Sequence, residues 1–442
     1  MGSPQSGERV RLTAATPEGS VTHEGILLAP AASGHVTVKL DNGYNVTFAE
    51  SEVSEILLLG AVVMVEENLN SGPPDDPNLP EVCILHTGGT IASKVDYVTG
   101  AVAARFEPEE LLDAVPELAN HARIRTKKLG NMWSDDIRAR HWNAMMVAAK
   151  EAFDSGAVGV VITHGTDTMH YSAAAAAFAW SGGGGRPPGR IVFTGSQRSS
   201  DRGSTDGTEN LIAAVHWAAH GPAPTGENGD TSVIIMHADS DDGVCAVLPG
   251  CSTRKFHSSK RDAFQGINAQ PLGTIYVGRG GECEIHVDAE APTREVVTEP
   301  IAFDESKRIL QLIAGAHMYA DQISLASNYD AILFHGTGLG HLPIEDPNGD
   351  SPENVAIRQA VADYCANGGV AVMATQCIHG PIHMDVYSKG RDQQELGILG
   401  NHATTGPDAA LVKLHFLLST GQDIQSGWEA NLCGENASSI FN

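Results

Sequence analysis

Two alcohols, an acid and an amine stand out in this chain for what they could do together. TGGT (87–90) ends in Thr90, and HGTDT (164–168) places Thr166 beside Asp167. Lys255 sits in GCSTRKFHSSK (250–260), a segment rich in hydroxyls. A threonine hydroxyl is a weak nucleophile at neutral pH and needs a neighbour to take its proton. A lysine can do so when desolvation keeps part of it neutral. The chemistry available is nucleophilic attack by an activated hydroxyl.

These groups are useful only if the fold brings them to one place. Each candidate loop follows a short apolar run: VCIL (82–85) precedes TGGT, GVVIT (159–163) precedes HGTDT, and RIVFT (190–194) precedes GSQRSSDRGSTDG (195–207). Gly88 and Gly89 can take φ > 0 and let a ligand approach the backbone. Loops that follow parallel strands open on one edge of the sheet, so their polar residues are predicted to converge on one cleft. Helical patterns over about 108–115, 135–154, 169–180 and 208–219 alternate with these strands and with SVIIMH (232–237). That alternation predicts an α/β fold with helices on the faces of a parallel sheet. A smaller α/β unit follows the 288–300 connection, with strands at 331–338 and 370–376 and helices at 352–366 and 407–418. Ahead of both, ERVRL, GILLA, HVTVKL, YNVTF and ILLLGAVVMV read as short strands, with a hairpin signal at Asp41–Gly43. The predicted organisation is a small β-barrel-like module at 1–65, a Pro- and acid-rich linker at 66–80, and a larger α/β domain with the candidate residues at 81–290. A smaller α/β domain at 300–420 and a weakly patterned tail at 421–442 complete it.

Composition narrows the classes. Lys plus Arg number 28 and Asp plus Glu 54, a formal charge of −26, and only ten of the bases are lysine. Such a chain repels nucleic acid at ordinary salt. The acids are spread along the chain, a pattern we read as adaptation to high salt, where surplus charge is screened within a few ångströms. No apolar run approaches a membrane span, and the opening MGSPQSGERV has no leader-like apolar stretch, so a cytoplasmic protein is expected. The seven cysteines form no CxxC and are expected to be buried and reduced.

TGGTIAS, HGTDTM, the 195–207 loop, TQCIHGPI, VYSKGR and AALVKL fall in order across 82–420 and resemble the L-asparaginase/glutaminase amidohydrolases. The extra N-terminal module and TGGTIASKVDY…TGAV are closer to the D-type, glutaminase branch found in archaeal glutamyl-tRNA(Gln) amidotransferases. The resemblance implies an asparaginase-like fold and residue roles. Thr90 matches the first nucleophile and Tyr97 the loop tyrosine that assists it. Thr166, Asp167 and Lys255 match a Thr–Lys–Asp triad. Ser134, in NMWSDDI, matches a residue that holds the substrate's α-carboxylate, and Asp135 stands where free asparaginases commonly carry glutamine. It further implies a homodimer at the core of a heterotetramer, with an E-type partner subunit that holds tRNA(Gln) and uses ATP and Mg²⁺. No metal or cofactor is expected in this chain itself. The implied reaction is acyl transfer from the side-chain amide of glutamine, with backbone N–H groups near Gly89 and Thr166 at the oxyanion. Either threonine could open it; the glycine turn exposes Thr90 better.

Rival readings are a free-standing L-asparaginase with a fused β module and a non-catalytic binding scaffold. Ser252 and Lys255 spell S-x-x-K, but no S-D-N or K-T-G follows. His86, His164 and His335 each end a strand, and His379 and His383 lie four apart; structural hydrogen bonding is the expected role. GTGLG (336–340) lacks the acidic partner of a dinucleotide fingerprint.

Overall fold

The computed structural model describes residues 4–17, 19–28, 33–41, 45–61, 76–89, 93–95, 102–104, 114–199, 204–225 and 229–437. The first strands are β1 (Glu8–Thr16), β2 (Gly19–Leu28), β3 (His35–Leu40), β4 (Asn45–Ala49) and β5 (Val53–Ala61). They pair antiparallel in the order β4-β3-β2-β1-β5. Alternation along β1 buries Val10, Leu12 and Ala14 against Leu27 and Val38. Register shifts at Arg9/Val10 and Thr13/Ala14 mark bulges, which increase local twist. Among the described residues no ladder joins β4 to β5. Most of the Asp41–Gly43 turn lies outside the described residues, but Lys39 opposes Asn45 on its flanks, as a hairpin requires. Most of the 66–80 linker and of the 108–115 helical pattern also lies outside them.

The large sheet begins with β6 (Glu81–His86). A short antiparallel pair follows, β7 (Ser93–Val95) and β8 (Val102–Ala104), then β9 (Arg123–Lys128) and α1 (Ala139–Asp154). The chain continues through β10 (Gly159–Thr163), α2 (Met169–Ser181), β11 (Arg190–Thr194), α3 (Gly207–His220) and β12 (Ser232–His237). It returns through β13 (Val244–Pro249), β14 (Thr253–Lys255), β15 (Phe264–Gly266), β16 (Gly273–Val277) and β17 (Cys283–Val287). The eight-stranded order is β17-β16-β13-β12-β11-β10-β6-β9. The half from β9 to β12 is parallel, and β13, β16 and β17 extend it antiparallel. The sheet is therefore mixed, not wholly parallel as the βα alternation implied. The 135–154 helix also starts later than its pattern: residues 134–136 form a 3-10 turn, and Ile137 and Arg138 are extended before α1. The alanine-rich α2 is buried all round and packs between the sheet and the second unit, where Phe178 stacks on Phe416 at 5.9 Å.

The second unit is wholly parallel, in the order β18 (Ile309–Ile313), β19 (Ala331–Gly336), β20 (Val370–Thr375), β21 (Ile398–Leu399). Its helices are α4 (Ala320–Ser324), α5 (Pro352–Ala366), α6 (Ser388–Glu395) and α7 (Pro407–Thr420). The region beyond 420 is more ordered than its pattern implied. It forms α8 (Ile424–Glu429) and then folds back, burying Trp428, Cys433 and Glu435. Of the cysteines, four are buried, Cys283 and Cys365 are half-buried and Cys377 is exposed, so the expectation of uniform burial fails; all are free thiols. Among the described residues no helix is long and apolar enough to cross a membrane.

Candidate active site

Three strand-end loops meet where β6, β10 and β11 lie side by side. Gly89, at φ +93°, stands so close to the central loop that a Cβ there would lie 2.6 Å from the Gly165 nitrogen. From the other side, a Cβ on Gly195 would lie 2.5 Å from the His164 carbonyl oxygen and 3.1 Å from Thr166 Cγ2. Only glycine permits these approaches. The Thr87 hydroxyl donates to the Thr163 carbonyl at 2.9 Å, fastening the first loop to β10.

Thr166 is buried on the turn into α2, and Lys255 reaches it from β14. Lys255 Nζ donates to Thr166 Oγ1 at 2.8 Å and to Asp167 Oδ1 at 2.7 Å. The lysine side chain is only 9% exposed, whereas that of Asp167 is 71% exposed. An amine so placed can exchange a proton with the hydroxyl while the carboxylate holds it in line. Ser252, of the rival S-x-x-K pattern, instead donates its hydroxyl to the Gly434 carbonyl at 3.0 Å.

Ser134 is buried beside the same loop, and its carbonyl accepts from the Thr168 hydroxyl at 2.5 Å. Asp135 is exposed and helps line a cavity of about 510 Å³ with Thr168, Tyr171 and Lys307. A smaller cavity of about 300 Å³ lies directly on Asp167, Lys255 and Arg254. A larger one, about 1070 Å³, lies elsewhere, between Asp385 and Trp428 in the second unit, so chemistry and not volume marks the site. His164 is fully enclosed, bonded through Nδ1 to the Gly165 carbonyl at 2.6 Å and through Nε2 to Ser172 Oγ at 2.9 Å. Burial pushes its pKa down to about 4, so it is a neutral prop for the loop. His86 and His335 are likewise hydrogen-bonded, to Thr163 Oγ1 and Gln311 Oε1.

Two features escaped the sequence. The 195–207 loop closes largely on itself. Asp206, wholly buried, accepts from the backbone N–H groups of Gln197 and Arg198 and from the Ser196 hydroxyl, so Asp206 and Ser196 support the turn. The second is Asp408, in the first turn of α7. It accepts from the Tyr171 hydroxyl at 2.6 Å and lies 3.2 Å from Arg254 and 3.4 Å from His170 Nε2. Burial raises the Asp408 carboxyl, but His170, Tyr171 and Arg254 hold it below the usual carboxylate range. No local motif marks it, because Tyr171 is 237 residues away.

The N-terminal asparaginase model matches residues 81–290, and the glutaminase/asparaginase C-terminal domain matches 308–427. The D-type chain of the Pyrococcus abyssi glutamyl-tRNA(Gln) amidotransferase is 36% identical over 95% of this chain and 91% of its own. Its Halobacterium salinarum counterpart is 32% identical over 97% of this chain and 96% of its own. The chain belongs to the D-type family of glutamyl-tRNA(Gln) amidotransferase subunits. Within the solved structures, the L-asparaginase of Thermococcus kodakarensis superposes with a TM-score of 0.66 at 27% identity, all of it mapping onto 81% of this chain. The D-type relatives thus match a part of this chain that the free asparaginase lacks, since one of them covers 97% of it and the asparaginase 81%. Of the residues that the family resemblance singled out, Thr166, Asp167 and Lys255 are in mutual contact and Ser134 adjoins them. Asp135 lies on the neighbouring cavity, and Thr90 and Tyr97 fall outside the described residues.

Proposed function

We propose that this chain is the glutaminase subunit of an archaeal-type glutamyl-tRNA(Gln) amidotransferase. The observation that carries the reading is the Lys255 amine bonded to both Thr166 Oγ1 and Asp167 Oδ1, in a chain that matches D-type relatives nearly end to end. In the scheme, a threonine hydroxyl attacks the side-chain amide carbon of glutamine. Its proton passes to Lys255, held by Asp167, and then to the departing nitrogen, which leaves as ammonia. Water hydrolyses the acyl-enzyme to glutamate. We assign the first attack to Thr90, assisted by Tyr97, and the proton-relay threonine to Thr166. Backbone N–H groups near Gly89 and Thr166 receive the oxyanion. Ser134 and Asp135 are assigned to the amino-acid end of the substrate.

The ammonia goes to an E-type partner subunit that uses ATP and Mg²⁺ to amidate glutamate on misacylated tRNA(Gln). A charge of −26 supports a division of labour in which the partner grips the tRNA. We place the chain in the cytoplasm as a homodimer within a heterotetramer. Support for a further interchain contact is Asp167, an acid 71% open to water at the mouth of an otherwise buried set.

The test is ammonia release from glutamine and from asparagine, first with the chain alone and then with the partner and Glu-tRNA(Gln). Glutamine turnover raised by the partner is expected. Strong asparagine turnover without a partner would instead identify a free-standing asparaginase, and a thermal shift with glutamine but no ammonia would identify a scaffold.

High-salt adaptation carries its own measurement. At about 1 M KCl the charges are screened within about 3 Å, and the unfolding midpoint is expected to exceed that at about 0.1 M. Highest stability in dilute buffer would refute it.

A further inference from the structure

The large sheet carries a second cluster of ligating side chains, far along the fold from the threonines. His121 precedes edge strand β9, Cys283 opens the opposite edge strand β17, and His216 projects from α3 between them. One nitrogen of each ring and the thiol sulfur lie within 4.8 Å of one another. We propose that His121, His216 and Cys283 form a Zn²⁺ site that joins the two ends of the sheet across α3.

The hydrogen bonds orient the ligands for this. His121 Nε2 lies 2.8 Å from the Gly281 carbonyl oxygen, which can only accept. The proton of the neutral ring is therefore on Nε2, and Nδ1 keeps its lone pair. Burial lowers the pKa of His121 and pushes that of His216 down to about 4, so both rings are neutral. A backbone carbonyl holding the far nitrogen of a histidine is the arrangement that fixes metal-ligating imidazoles. His121 Nδ1 and His216 Nδ1 are 3.0 Å apart, close to the roughly 3.3 Å between nitrogens of a tetrahedral zinc ion with bonds of about 2.0–2.1 Å. Without the ion, one proton bridges these two nitrogens. On binding, His216 moves that proton to Nε2, and the Cys283 thiol releases its own to solvent, so one proton leaves per ion. The sulfur closes to about 3.6 Å from the nitrogens, consistent with a Zn–S bond of about 2.3 Å.

The donor set selects the metal. Two imidazoles and a thiolate favour zinc over the hard cations magnesium and calcium. Burial and the neighbouring Glu282 push the Cys283 thiol up to about 12, a preference for the proton that a divalent ion must overcome by bonding to sulfur. His216 and Cys283 are half-buried, which leaves an entry path from the surface. His220, on the next turn of α3, donates through Nε2 to the His121 carbonyl at 2.9 Å and braces the segment from outside. The fourth position falls to water.

The test uses the full chain stripped with EDTA and reloaded with Co²⁺. Binding of about one equivalent, with tetrahedral d–d bands and a thiolate-to-cobalt absorption in the near ultraviolet, is expected, with displacement by Zn²⁺. Cys283→Ser should abolish the near-ultraviolet band, and His216→Gln should weaken Zn²⁺ binding by about 100-fold. His216→Gln alters a half-buried helix position and, if Cys283→Ser folds poorly, decides alone. A near-ultraviolet band that persists in Cys283→Ser, or a Zn²⁺ affinity unchanged in His216→Gln, would overturn the proposal; so would the absence of any tight divalent binding by the parent chain.

Discussion

Replacing Lys255 with alanine is expected to lower ammonia release from glutamine by about 10³-fold or more, with little change in the fold. The amine contacts both the Thr166 hydroxyl and the Asp167 carboxylate. Removing it takes from the Thr166 hydroxyl its amine partner and leaves the carboxylate facing water. Lys255 lies at the end of a two-stranded ribbon held by backbone pairs with β15, so its loss should not unfold the domain. If the three residues act as one unit, Lys255→Ala combined with Thr166→Val should be no slower than the worse single variant. Single-turnover ammonia release with and without the partner subunit reads both effects. Full release by the Lys255→Ala chain would remove the lysine from the mechanism.

The second large effect is on stability. Lys413, within the AALVKL stretch, is fully buried on α7 and donates to the carbonyls of Trp428 at 2.9 Å and Ala430 at 2.7 Å and to Glu435 Oε1 at 2.6 Å. Glu435 in turn accepts from the backbone N–H groups of Leu432 and Cys433. Burial raises its pKa, but the Lys413 charge and these hydrogen bonds bring it below the usual glutamate range. Lys413→Met keeps the aliphatic stem and strands a carboxylate and two carbonyls in the interior. A loss of about 3–5 kcal/mol in unfolding free energy is expected, read from the urea midpoint at constant slope. The pH dependence has a definite sign. In the parent, the depressed Glu435 contributes stability above the ordinary glutamate pKa of 4.5 and loses it as pH falls. In the variant the carboxyl is buried without a partner and its pKa rises, so the deficit should shrink toward acid pH. A constant deficit across pH would argue against the ion pair as its source.

The parts of this protein that were legible in the sequence are those written over a few adjacent residues. GVVIT followed by HGTDT announces a buried strand, a turn and a hydroxyl–acid pair, and β10 and the loop after it have that form. The alanine run of α2 and the turn glycines at 88 and 89 are equally local signals. Lys255 was harder: only its hydroxyl-rich setting and the family resemblance singled it out, because the contact with Thr166 spans 89 residues. The antiparallel strands β16 and β17 were missed because they interleave polar and apolar residues and lack the continuous apolar run of buried parallel ones. The tail after 420 looked unpatterned because what orders it is a lysine and a glutamate, residues that ordinarily face water. Asp408 had no signal at all, since its partners lie on α2 and β14 of the other unit.

That last carboxylate ties two bodies together at a sensitive place. Arg254 and His170, its neighbours, stand immediately before Lys255 and one turn beyond Asp167 in the chain. A displacement of α7 would break the contacts of both with Asp408. On the proposed reading, a partner that grips the smaller unit would act on the Thr166–Lys255 pair through this carboxylate, without touching the substrate.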